Sequence, residues 1–229
     1  MSWLAVVMWM FAPVPGGSEP ERAAPVSAAA ALEAEVLEEV NRMRANPQAY
    51  ADGLRGYRQG FDGLVVRDEE SPDGIFTHEG VAAVDEAIAF LDQQAPLPPL
   101  GASALLALGA ADLAADQETS GQTGHISGNG FGPGERVRRR GGDIYVGEVV
   151  SYGHAIARGV VRQLVVDDGV ARRGHRGLLF AKGYRYAGVA CGAHERYGVM
   201  CVVDMAATPT GRPVVPQLAA TPAPRPAGF

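Results

Sequence analysis

Two histidines and two carboxylates set the chemistry that this chain can do. His125 lies in Thr123-Gly124-His125-Ile126-Ser127-Gly128, and His175 in Gly174-His175-Arg176. Glu148 sits in Val146-Gly147-Glu148-Val149, and Asp167 ends an apolar run just before Asp168. The four are separated by 23, 19 and 8 residues, which matches no compact metal motif. Their context carries more than their spacing. Each histidine follows a glycine in a predicted loop or helix end, where side chains from distant segments can converge. Imidazole nitrogen and carboxylate oxygen form a donor set that zinc accepts. The carboxylates can bind the ion directly or hold a metal-bound water. Arg172, Arg173 and Arg176 surround His175. Facing inward, they would disfavour an imidazolium and a bound cation. Facing outward, they solvate a loop.

Other chemistries find less support. Gly128 to Gly134 is rich in glycine, but no strand precedes it and no Lys-Ser/Thr follows, so it is not a phosphate-binding loop. His78-Glu79 opens like a zinc-protease helix, yet Ala82 stands where the second histidine is needed. Ser127 and Ser151 lie near the candidate histidines in sequence, but no Gly-x-Ser-x-Gly occurs. Cys191 and Cys201 have no Cys-x-x-Cys spacing for zinc.

The elements that must position these residues are helical first and β last. Leu32, Val36, Val40 and Met43 recur at helical spacing, and Asn46-Pro47 stops that helix. A short helical turn follows through Ala49-Tyr50-Ala51, and residues 56–76 read as loop. Thr77 is the expected cap of a helix carrying Val81, Val84, Ile88 and Leu91 on one face. A third helix is expected from Ser103 to Thr119. A glycine-laden loop is expected over 120–143. A fourth helix runs from Ala155 to Val166, with Ile156, Val160 and Leu164 inward. Two strands, Tyr184 to Cys191 and Val199 to Met205, close the chain. Their cysteines can face each other across a hairpin, as a disulfide or as two buried thiols. The pattern predicts an α+β fold with helices on an antiparallel sheet.

At 229 residues and 47% hydrophobic, the chain has enough for one folded domain, expected over 31–206. A net charge of −6 argues against general nucleic-acid binding. The run Arg136 to Arg140 is the densest basic stretch and reads as a solvated loop. Trp3 to Phe11 is apolar but too short to span a bilayer. With the Pro/Ala/Gly-rich stretch up to residue 30, it reads as a signal peptide and linker, although no basic residue precedes it. Residues 207–229 contain six prolines and read as a disordered tail.

The ordered motifs resemble the CAP superfamily (SCP domain) in its bacterial form. The matches are Asn41-Arg42-Met43-Arg44-Ala45-Asn46-Pro47 with Tyr50-Ala51, the helix Glu79 to Leu91, and Gly124-His125 with Arg136 and Gly141. They continue through Gly147-Glu148, Gly174-His175-Arg176 and the hairpin Tyr186 to Asp204. The resemblance implies a three-layer α-β-α sandwich with a central cavity. It also implies a tetrad of His125, Glu148, Asp167 and His175 that binds zinc or another divalent cation. Asp168 competes with Asp167, because the family carries a longer glutamate there and a tryptophan where Leu164 stands. Val149-Val150 replaces the family's Asn-Ile after Glu148. The function implied is a secreted binding protein for a lipid, peptide or glycan, with no nucleic acid and no membrane span. The alternatives are a zinc-dependent hydrolase with Glu148 as general base, and a structural surface module with a vestigial site.

Overall fold

The computed structural model describes residues 27–214. The expected signal segment and linker up to residue 26, and the tail from residue 215, lie outside the described residues, whereas residues 28–30 of the expected linker belong to the first helix.

The first helix, α1 (Ala28–Ala45), starts where the Ser27 hydroxyl accepts from Ala30 N at 3.1 Å. Asn46 ends α1 and starts α2 (Pro47–Arg58). Its N–H reaches Arg42 O, and its side chain accepts from Ala49 N at 3.2 Å, with Pro47 in the first turn. The expected single turn is thus a 12-residue helix, anchored by buried Ala51 and Leu54. The expected loop over 56–76 instead ends α2 and forms a small antiparallel sheet of β1 (Phe61–Asp62), β2 (Val65–Val66) and β3 (Ile75–Phe76).

Thr77 does not cap the next helix. Its hydroxyl donates to Leu64 O at 2.7 Å, and α3 (Val81–Gln93) begins after Gly80 at φ 61°. A β-carbon at Gly80 would stand 2.8 Å from Gly63 O, so both its φ and its space call for glycine. The N–H groups of His78 and Glu79 donate instead to the Asp168 carboxylate, at 2.7 and 2.8 Å.

After β4 (Gly101–Ala102), Ser103 caps α4 (Ala104–Ser120), which ends at left-handed Gly121. The loop expected over 120–143 contains α5 (Pro133–Arg139). The strand β5 (Gly147–Tyr152) carries Glu148 and was not expected as a strand. Then come α6 (Ala157–Val166), a 3₁₀ turn over Ala171–Arg173, α7 (Gly174–Leu179), β6 (Tyr186–His194) and β7 (Gly198–Ala206). Ile156 precedes α6 and is 41% exposed rather than inward, whereas Val160 and Leu164 are buried.

The main sheet has the order β4-β6-β7-β5, antiparallel except for β4 beside β6. Its two faces follow the period of two. Val149, Cys201, Val203 and Met205 pack against α1, α2, α3 and α6. Val150, Met200 and Val202 pack against Ala110, Leu113 and Ala114 of α4. This is the three-layer α-β-α sandwich. The ordered chain continues past residue 206, because Pro209, Thr210 and Gly211 carbonyls accept from Ser103, Asp143 and Tyr145.

Cys191 and Cys201 are register partners on β6 and β7 and form a disulfide. Replacing both by alanine is expected to cost about 2–3 kcal/mol, the scale for cross-linking a short loop. Thermal melts of the pair against the unmodified chain, under non-reducing conditions, check this. A loss below about 0.5 kcal/mol would make the bridge incidental to stability.

Candidate functional site

The site opens at the free edge of the sheet, along β5, where the two helical layers meet. Each layer delivers one histidine.

His125 comes from the loop between α4 and α5. That loop is strapped down before it reaches the histidine. Gly124 takes φ 102°, its N–H donates to the Tyr152 hydroxyl at 2.9 Å, and its carbonyl accepts from Gln117 Nε2 at 2.8 Å. The Tyr152 hydroxyl donates in turn to Gln117 Oε1 at 2.8 Å. His125 Nδ1 lies 3.0 Å from Glu148 Oε1, and the other Glu148 oxygen pairs with Arg136. Arg136 is buried and organises this half of the site. Its guanidinium donates to the carbonyls of His125, Phe131 and Gly109, at 2.9, 3.0 and 3.2 Å. The rest of the basic run does not form one patch. Arg140 pairs with Asp112, and Arg139 lies over the Phe131 ring.

His175 stands in the first turn of α7. Asp167 ends α6 in the left-handed region and turns its carboxylate onto α7. Oδ2 accepts from the N–H groups of His175 and Arg176, at 2.9 and 3.2 Å, and Oδ1 lies 2.7 Å from His175 Nδ1. The next residue, Asp168, serves the His78–Glu79 backbone. Position therefore separates the two carboxylates: Asp167 orients the histidine, and Asp168 ties down the start of α3. Asp167, Arg172 and Arg173 take φ values of 59°, 62° and 50°. Such backbone costs on the order of 1–3 kcal/mol per residue and needs a surrounding structure to hold it. Arg173 supplies that hold by pairing with Glu79 and Glu86 and donating to Asp167 O at 2.8 Å. Arg176 is buried against the α6 terminus, donating to Val165 O and Val166 O at 2.6 and 2.9 Å. Neither is bonded to His175. Arg172 is exposed, as the outward alternative expects, whereas Arg173 is ion-paired and Arg176 faces the helix end, which neither alternative anticipated.

The two imidazoles come together, with ring centroids 6.1 Å apart and planes inclined by 53°. Both line a cavity of about 540 Å³, as does Asp167, while Glu148 is buried behind His125. Tyr57, Phe61, Tyr152 and Tyr197 contribute aromatic wall. A wider depression of about 710 Å³ lies on the outer side of α7; of its charged lining residues, Glu79, Glu86, Arg173 and Arg176 are paired with one another, and Arg172 is exposed. Ser127 accepts from Arg136, and Ser151 donates to Gln163 Oε1 at 2.6 Å, so neither serine is held by a histidine.

Three residues of the site escaped sequence reasoning. His78 and His154 also line the cavity, which thus gathers four of the five histidines of the chain. His154 had a visible signal. Gly153-His154 repeats the Gly-His pairing of 124–125 and 174–175. Its Nδ1 lies 3.7 Å from Glu70 Oε2, and burial followed by the Arg162 charge pushes the imidazole down to about 4. Asp204 is the third. It faces Glu148 across the β5–β7 register, and neither of its buried oxygens has a hydrogen-bond partner. Burial, then the Glu148 carboxylate, holds the Asp204 carboxyl well above the usual carboxylate range.

A family model described as CAP, cysteine-rich secretory protein family, matches residues 37–205. Among solved structures, the chain is similar to an extracellular protein containing a SCP domain from Bacillus anthracis strain Ames. The likeness is 17% identical with a TM-score of 0.40, and covers 55% of this chain and 37% of that one. The chain therefore spans little more than a third of that protein's length. No curated protein matches. Among the described residues, no helix is long and apolar enough to cross a membrane.

Proposed function

The chain belongs to the CAP family of cysteine-rich secretory proteins, and from that premise we propose that it is an exported binding protein whose cavity holds a divalent cation between His125 and His175. A disulfide in a chain of this family suits an oxidising compartment. The observation that carries the cation reading is the pairing of each imidazole with its own carboxylate. Glu148 and Asp167 occupy the two Nδ1 atoms, which leaves both Nε2 atoms as donors. A carboxylate behind a histidine fixes its tautomer and raises its basicity as a ligand.

The donor set fits zinc in part. Among the described residues, no three His, Cys, Asp or Glu side chains stand together in metal-holding geometry. The tetrad is better read as two nitrogen ligands, His125 and His175, with Glu148 and Asp167 as orienting groups. A bound zinc ion would supply Lewis acidity and leave positions open to a ligand. The aromatic walls and width of the cavity suit part of a lipid, peptide or glycan. Hydrolysis with Glu148 as general base has less support. That carboxylate is 1% exposed, and both its oxygens are engaged.

Zinc titration tests this reading. Zinc that binds only folded protein stabilises by about 2.7 kcal/mol at a hundredfold excess over its dissociation constant. For a domain of this size that is a rise of roughly 5–10 °C in Tm. The rise is expected in the unmodified chain and lost in His125→Ala with His175→Ala. No shift in the unmodified chain would leave the site structural only. Zinc-dependent turnover abolished by Glu148→Gln, with zinc still bound, would favour the hydrolase.

A further inference from the structure

The sheet edge that faces the histidine cavity is not closed. In an antiparallel pair, alternate residues turn their N–H and C=O toward the partner strand, and the residues between turn theirs away. Gly153 N donates to Val199 O at 2.8 Å, one step beyond the β5–β7 register, and this sets the phase. Gly147, Val149 and Ser151 therefore face β7, while Glu148, Val150 and Tyr152 face outward. Tyr152 agrees with that phase. Its outward N–H donates to Gln163 Oε1, and its outward C=O accepts from Gln163 Nε2, both at 3.0 Å. The Gln163 amide thus fills the place that a residue of a neighbouring strand would take.

Val150 has no such cover. Among the described residues, no hydrogen bond reaches its outward N–H or C=O. Its side chain packs into the α4 layer, yet the residue lines the cavity of about 540 Å³. Its main chain is therefore what it offers to that space. On the opposite side of the sheet, the outward N–H of Cys191 on β6 is met by Glu33 Oε1 at 3.0 Å. An unpaired strand edge is a template for another main chain.

Two observations select the occupant. The adjoining place on the edge already holds an amide, so the open place has the spacing for one. The charged groups of the wall other than the histidines are engaged. Arg162 pairs with Asp68 and Glu70, Asp167 holds His175, and Asp168 holds the His78–Glu79 backbone. Phe61, Phe76 and Tyr197 also line the cavity, and Phe76 is 71% exposed. Such a wall suits uncharged, apolar side chains.

We infer that the β5 edge binds a short extended peptide with uncharged side chains, one residue of which exchanges two main-chain hydrogen bonds with Val150. This rests on reading the histidine cavity as a ligand site, but not on the cation. Glu148, which holds His125, lies two residues along β5, or roughly 7 Å. A peptide paired at Val150 thus runs toward the imidazoles, and the Gln163 amide stops the pairing in the other direction.

Isothermal titration of the full chain tests it, in zinc and separately in EDTA. The probes are an Ala-Val-Ala tripeptide blocked at both ends, its three singly N-methylated analogues, and a blocked Ala-Val-Ala-Val-Ala pentapeptide. The tripeptide is expected to bind with a millimolar or tighter dissociation constant. At least one N-methylation should weaken it roughly 5–30-fold, the scale of a main-chain hydrogen bond lost with its partner left unpaired. Burial of apolar side chains alone would not give that loss. Val150→Pro removes only an outward N–H, which edge strands tolerate, and should abolish binding. The N-methylated probes keep the test valid if that variant misfolds. Gln163→Ala uncovers Tyr152, and the pentapeptide should then bind at least 3-fold tighter than the tripeptide. The inference is overturned if no peptide binds in either buffer, which leaves the edge to water, or if all three N-methylated analogues bind as well as the parent. It is also overturned if folded Val150→Pro binds normally, or if Gln163→Ala brings no preference for length. Peptide binding in EDTA without a thermal shift from zinc would sink the cation reading alone, and the reverse result would sink this one alone.

Discussion

Arg136→Met is expected to lower folding stability by about 3–5 kcal/mol, the scale for leaving a buried charge without its partner. Few single changes in this chain should do more damage. The guanidinium is 2% exposed and meets a Glu148 side chain that is 1% exposed. Removing it strands that carboxylate beside Asp204, which is already deprived of partners. It also takes one donor from each of the carbonyls of Gly109, His125 and Phe131, although Phe131 O keeps the Ser127 N–H. At about 2–4 °C per kcal/mol for a domain of this size, Tm should fall by roughly 6–20 °C. Adding Glu148→Leu removes the stranded charge but does not restore the lost hydrogen bonds to the carbonyls, so the double variant should recover part of the loss. Urea unfolding of the two single variants and the double variant gives the coupling directly. A single-variant loss below 1 kcal/mol would show that Glu148 does not depend on Arg136.

His154→Asn is expected to flatten the acid side of the stability profile. The unfolded imidazole protonates near 6.5, but in the folded chain it does so only at about 4. As pH falls through that interval, the unfolded chain takes up a proton that the folded chain refuses. Stability present at neutral pH is therefore lost as pH falls from about 6.5 toward 4, by about 3 kcal/mol at 1.4 kcal/mol per pH unit. Burial is the main cause, and Arg162, stacked 4.0 Å from the Tyr57 ring, adds to it, while Asp68 opposes it. Glu70 acts in the other direction, since burial raises its carboxyl. The asparagine variant keeps Glu70, so the difference between the two profiles isolates the imidazole. Equal slopes between pH 7 and 4 would mean that His154 titrates as an exposed histidine.

Much of the fold was legible because its signals are local. Asn46-Pro47 and Ser103 mark helix ends, since capping involves residues two or three apart. The hairpin follows from two apolar strands and a short turn, and the structure settles its facing cysteines as a disulfide rather than two thiols. The motifs around His125 and His175 were enough to identify the family. The misreadings share one cause. Thr77 looked like a cap, but its hydroxyl goes to Leu64, and the freed N–H groups are met by Asp168, some 90 residues away. The strand carrying Glu148 was not expected, because β5 is short and lies between a long irregular segment and a helix.

The sequence by itself determined the long helices α1, α3, α4 and α6, the closing hairpin, and the four polar residues that could form a site. These rest on periodicity, capping and register, all of which act over a few residues. The tertiary structure alone decided what those residues do. Asp167 and Asp168 are adjacent and chemically identical, yet the left-handed backbone at Asp167 sends one carboxylate to His175 and leaves the other for α3. It also gathered His78 and His154 into the cavity, aimed Arg136 at Glu148, and turned Arg173 and Arg176 away from His175. Pairings of this kind depend on how the two layers pack across the sheet edge, which no local pattern encodes.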